Sequence, residues 1–150
     1  MTWSELEEKG RVSRHQTSRE ELDGLRKAIA RNLDDAGLAG LSPDNRFGLA
    51  YEAALLASKM AMACAGYRAR GASAHQTTFV GLELALGQEV SRAAQYFERC
   101  RRKRNQLSYE GAGIAGGSEA QEILVEAARL RDTVEAWISK VHSGLAAGSN

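Results

Sequence analysis

The chain has 150 residues, 43% of them hydrophobic and 26% charged, which is ordinary for a globular protein and fits one domain with its own core. A formal net charge of +1 excludes polyanion binding by bulk electrostatics, so any nucleic-acid contact has to come from a local patch. A single proline, few β-branched residues and abundant alanine and leucine point to helix.

The acidic start, Met1 to Gly10, lacks the basic-then-apolar order of a signal peptide. Trp3 precedes Ser4-Glu5-Leu6-Glu7, which reads as a capping box opening a brief helix that stops at Gly10. An irregular stretch from Arg11 to Thr17 is expected next. The first main helix opens at Ser18, with Glu21 three residues on and an apolar face of Leu22, Leu25, Ile29, Leu33 and Ala36. Gly37 and Gly40 end it. Ser42-Pro43 is a strong start signal for a second helix, expected to run to about Tyr67. Phe47, Tyr51, Leu55 and Met62 line one side, and Ala50, Ala53, Ala57 and Cys64 keep the other side small. A helix apolar nearly all round belongs at the centre of a bundle. Glu52 and Lys59 interrupt it, so it does not read as a membrane span, and a cytoplasmic location is expected.

His75, Phe79, Leu82 and Leu86 mark a third helix ending at Gly87, and a fourth runs from about Gln88 to Leu107. A glycine-rich loop spans 111–117. Ser118 with Gln121 is expected to cap a fifth helix, striped by Ile123, Leu124, Ala127, Leu130, Val134, Trp137, Ile138 and Val141. The tail from Ser143 reads as frayed. No strand-like alternation of useful length is present. The fold class is therefore all-α, a single domain over 1–150 built as an up-and-down bundle of about five helices, with a short helix and loop at 1–17 and a loose tail at 143–150.

No motif implies a cofactor. The glycines at 111–117 follow a helix and not a strand, which removes the phosphate-loop reading. Cys64 and Cys100 have neither disulfide nor zinc spacing and read as reduced core residues. Three isolated histidines do not make a metal site. His15 is expected to be exposed, and His75 to be a structural cap or core-edge residue.

The unusual feature is Arg99-Cys100-Arg101-Arg102-Lys103-Arg104, with five positive charges and no acid. Most of it reads as a solvated basic helix end, favoured by the helix dipole. Arg104 differs, because Val90, Phe97 and Arg104 share one heptad spacing, as do Ala93, Cys100 and Leu107. A guanidinium in phase with a buried face must be paired, or must face a cleft or a partner surface. Asn105, Ser108 and Tyr109 lie within about two turns, roughly 10 Å. Arg101, Arg104, Asn105, Ser108 and Tyr109 are thus the candidate binding residues, suited to a phosphate or carboxylate.

These residues carry a resemblance. Arg101-Arg102-Lys103-Arg104-Asn105 with Tyr109-Glu110 is similar to the fourth-helix signature of the HEPN superfamily, small helical domains of prokaryotes often encoded beside minimal nucleotidyltransferases. Leu49-Ala50-Tyr51-Glu52-Ala53-Ala54, Gly66-Tyr67-Arg68 and His75-Gln76-Thr77-Thr78-Phe79 are similar in style and occur in the same order, so the likeness covers about 3–137. It implies a HEPN-like bundle that homodimerises with its arginine-bearing helices facing each other. Many members are ribonucleases in which an arginine is followed by asparagine or aspartate and, after four to six residues, by histidine. Arg104 and Asn105 match the first two places. Tyr109 or Ser108 falls where the histidine belongs. A tyrosine with pKa near 10 is a poor general base at neutral pH.

The resemblance therefore implies a non-histidine branch: a non-catalytic binding or adaptor module, homodimeric, presenting Arg104, Asn105 and Tyr109 to a nucleotide, an RNA phosphate or a partner nucleotidyltransferase. In related toxins a tyrosine near this motif receives a nucleotide from the partner enzyme. The alternative is a metal-independent endoribonuclease, the toxin of a toxin–antitoxin pair, using Arg104, Asn105 and Tyr109, with Tyr109 or His75 in place of the histidine. A third reading leaves Arg104 in a structural salt bridge with Glu83 or Glu110.

Overall fold

The computed structural model of the protein describes residues 1–110 and 113–148, and the side chains at 108–110 lie outside that description. Six α-helices are described: α1 (Trp3–Glu8), α2 (Arg19–Ala36), α3 (Pro43–Cys64), α4 (Ala74–Leu86), α5 (Ser91–Glu110) and α6 (Gly117–Val141). Two short strands, β1 (Val12–Arg14) and β2 (Tyr67–Ala69), and 3₁₀ turns at Gln88–Val90 and Ser143–Leu145 complete the order.

The bundle is organised around α3, which packs against α6, α2, α4 and α5. Ala50, Ala53, Ala54, Ala57 and Ala61 are wholly buried along it, so neighbouring helices approach closely from several sides. That is the central role its all-round apolar character predicts. α6 supplies Ile123, Ala127, Leu130, Val134 and Ile138 to the core, while Val141 at its end is exposed. On α5, Val90 just before the helix, Phe97 and Cys100 are buried, so the heptad spacing does mark its inner face. Gly81 on α4 packs where a Cβ would crowd the Met62 terminal methyl and the Trp3 ring. Cys100 is buried and Cys64 half-buried, both unpaired, and burial pushes each thiol pKa up to about 11.

Several local expectations are corrected. Thr2, not Ser4, caps α1, accepting the Glu5 amide while the Glu5 carboxylate accepts back from Thr2. The stretch from 11 to 17 contains β1, paired antiparallel with β2 through Val12↔Ala69, Ser13↔Arg68 and Arg14↔Tyr67. α3 stops at Cys64 instead of Tyr67, because Gly66 adopts φ 99° and turns the chain into β2. α5 starts at Ser91 after the 3₁₀ turn. α6 is capped by Gly116 with Glu119, whose carboxylate accepts the Gly116 amide at 2.9 Å, and not by Ser118 with Gln121. The tail is tied down where fraying was expected. Arg26 donates to the Leu145 carbonyl at 2.8 Å and Arg19 to that of Ala146 at 3.1 Å.

Candidate anion site at the start of α4

α5 delivers Arg101 and Arg104 of its basic run to two different clefts. Arg101 and Asn105 lie one turn apart and line a pocket of about 260 Å³ with Ser73, His75 and Gln76, the residues that open α4. Arg104 lines a second cleft of about 440 Å³ against the first half of α3, with Asp44, Gly48, Glu52 and Leu107. A Cβ at Gly48 would stand 3.5 Å from Arg104 Nε, so the half-buried arginine lies over that glycine. The sequence grouped Arg101, Arg104 and Asn105 together; the fold pairs Arg101 with Asn105 and turns Arg104 toward α3. Ser108 and Tyr109, the other two candidates, have side chains outside the described residues.

The first pocket is rich in donors that meet no acceptor among the described residues. Ser73 heads α4 at φ −98° and ψ 24°, away from the extended geometry of a cap, and makes no capping bond. The backbone N–H groups of His75 and Gln76 meet no acceptor among the described residues, as expected in an uncapped first turn. The Asn105 and Gln76 amides are likewise without a hydrogen bond among the described residues. Arg101 donates from Nε and Nη2 to both oxygens of Glu98, at 2.8 and 2.7 Å, which orients its fork and leaves Nη1 without a described acceptor. A helix N-terminus, a guanidinium and two amides around one concavity are donor types suited to an anion.

His75 gives the site its titratable group. Its Nδ1 lies 3.1 Å from the hydroxyl of buried Tyr51, while Nε2 makes no hydrogen bond to a described residue. Partial burial, then the positive charges of Lys59, Arg101 and Arg104, lower its pKa from the ordinary 6.5, against the opposing pull of Glu52. It is neutral at pH 7. Burial drives the Tyr51 phenol the other way, upward, so that hydroxyl stays protonated and fixes the imidazole. Arg101 and Arg104 both act on this Tyr–His pair, so the two clefts share one positive field.

Sequence reasoning placed His75 at the helix start but not beside Arg101 and Asn105. It missed Ser73, Gln76 and Tyr51 as site residues altogether. His75-Gln76 directly after a glycine-bearing loop was the only available signal. His15, expected to be exposed, is half-buried and bonded through Nε2 to Glu21 at 2.7 Å. Glu83, one suggested partner of Arg104, lies in another groove, between α4 and α5. Glu110, the other, has its side chain outside the described residues.

Among the described residues no helix is long and apolar enough to cross a membrane, and no group of three or more His, Cys, Asp or Glu could hold a metal ion. No family model, curated protein or solved structure matches the chain.

Proposed function

We propose that the chain is a non-catalytic anion-binding module that receives a phosphate of a nucleotide or of single-stranded RNA at the start of α4. The observation that carries this reading is the uncapped first turn of α4 opening onto Arg101 and Asn105, with donors from three sources around one pocket. Arg104 contributes charge from the adjoining cleft. Homodimerisation and docking to a minimal nucleotidyltransferase complete the reading, and both rest on the HEPN resemblance. Fluorescence anisotropy with a labelled single-stranded RNA tests the binding, since loss of one charge-assisted contact weakens affinity by about tenfold. Arg101→Ala is expected to show that loss, together with a shallower salt dependence. Equal affinity in wild type and variant contradicts the reading.

One observation favours a second reading, a metal-independent ribonuclease: His75 lines the same pocket as Arg101 and Asn105, and its Nε2 has no described partner. With Nδ1–H donating to Tyr51, Nε2 accepts the proton of a ribose 2′-hydroxyl. The 2′-oxygen then bonds to phosphorus, the bond to the 5′-oxygen breaks, and that oxygen takes a proton from water. RNA incubated with protein and a chelator decides this reading. Cleavage that disappears in His75→Gln supports it, and intact RNA across the pH range removes it.

A further inference from the structure

On the other side of His75 lies a pocket unrelated to the basic run of α5. It occupies about 370 Å³ between α2, α3, α4 and the β-ribbon, within the size range of small-molecule sites. Its apolar lining comes from Leu25 on α2, Met62 and Ala63 on α3, and Tyr67 and Ala69 on β2. Two contacts hold the β-ribbon wall in place. Tyr67 is stacked on Trp3 with centroids 4.4 Å apart and planes 4° from parallel, and His15 donates its amide to the Gly66 carbonyl at 2.9 Å.

The mouth is charged and asymmetric. Lys59 and Arg68 are exposed there, and neither forms an ion pair among the described residues. Glu21 is the lining carboxylate, but it already accepts from Thr17 Oγ1 at 2.6 Å and meets His15 Nε2 at 2.7 Å. Those bonds hold its pKa below the ordinary value, so it stays ionised and engaged with α2's own entry segment. Arg68 feels that charge without bonding to it. Two cations without an ion pair among the described residues, over an apolar floor, suit a ligand with the matching division.

We propose that this pocket binds a small amphiphilic anion, a compact aromatic or aliphatic body seated on Leu25, Met62 and Tyr67 with one phosphate or carboxylate head held by Lys59 and Arg68. The body supplies the apolar contact and the head orientation, the usual split of roles in such sites. The site is independent of Arg101 and Asn105, so its ligand competes with RNA only through the shared His75 wall.

The probe is 1-naphthyl phosphate, titrated into isotopically labelled protein and followed by NMR at the Met62 and Leu25 methyls, with 1-naphthol and inorganic phosphate as the two half-ligands. Saturable shifts at those methyls are expected with the whole probe, and much weaker ones with either half. Lys59→Ala combined with Arg68→Ala weakens the probe by about tenfold or more, while Arg101→Ala leaves it unchanged. Both substituted positions are exposed, so folding is preserved and is checked by the spectrum itself. No saturation at millimolar probe, equal affinity in the double variant, or shifts confined to Asn105 and Gln76 would overturn the proposal. The last of these outcomes would still leave the anion site at α4 intact.

Discussion

The middle of α3 and the first turn of α4 treat polar groups in opposite ways. Along α3, Ser58 returns its hydroxyl to the Ala54 carbonyl at 2.9 Å. No buried side-chain polar atom among the described residues lacks a partner. At the start of α4, Ser73, Gln76 and Asn105 and two backbone N–H groups meet no acceptor among the described residues, beside a guanidinium. An unmet donor costs little at a wet surface and a great deal in a core. Their concentration at one accessible spot is the contrast on which the proposed anion site rests.

The sharpest way to break this contrast is to damage the core and ask whether the cleft survives. Phe97 is 1% exposed and stacked near Phe79, with centroids 6.0 Å apart, directly behind the α5 face that carries Arg101. Phe97→Ala is expected to cost about 3–5 kcal/mol in urea unfolding. A loss under about 1 kcal/mol would mean that α5 is not seated as described.

A smaller effect is expected at Arg26, 12% exposed, which holds Glu135 at 2.8 Å and the Leu145 carbonyl at 2.8 Å. Arg26→Ala should lose about 1–3 kcal/mol and speed proteolysis after Val141. Unchanged proteolysis would show that the tail is held by something else.

The smallest effect is electrostatic. Burial first, then the charges of Lys59, Arg101 and Arg104, lowers the His75 pKa against the pull of Glu52, so acidification adds a positive charge to the cleft only below the ordinary imidazole range. RNA affinity should rise by about threefold between pH 7 and pH 5, and His75→Gln should flatten that rise. The linkage to folding has the opposite sign. The unfolded chain takes up this proton first, so the contribution of His75 to stability is full above about pH 6.5 and falls away in acid.

Much of the bundle was legible because helix faces repeat. Leu22, Ile29 and Ala36 on α2, or Ile123, Leu130 and Val134 on α6, declare their buried side by spacing alone, and all are buried. The β-ribbon was not legible, since three-residue strands are too short to show alternation. Caps were misplaced by a residue or two for a similar reason: Thr2 and Ser4 both fit the pattern, and only backbone geometry chooses between them. The site was half visible. The α5 spacing singled out Arg104, but which residue of α4 meets Arg101 is a tertiary fact that helix periodicity does not carry. Nothing local to His75 announces Tyr51, which stands 24 residues earlier.

The central claim is that the first turn of α4 is the anion site, and a residue-resolved RNA titration tests it most directly. Single-stranded RNA added to ¹⁵N-labelled protein should shift the His75 and Gln76 backbone amides and the Asn105 side-chain amide most strongly, with those shifts lost in Arg101→Ala. Shifts centred on the exposed Arg102 face of α5, with the α4 amides unmoved, would contradict the account.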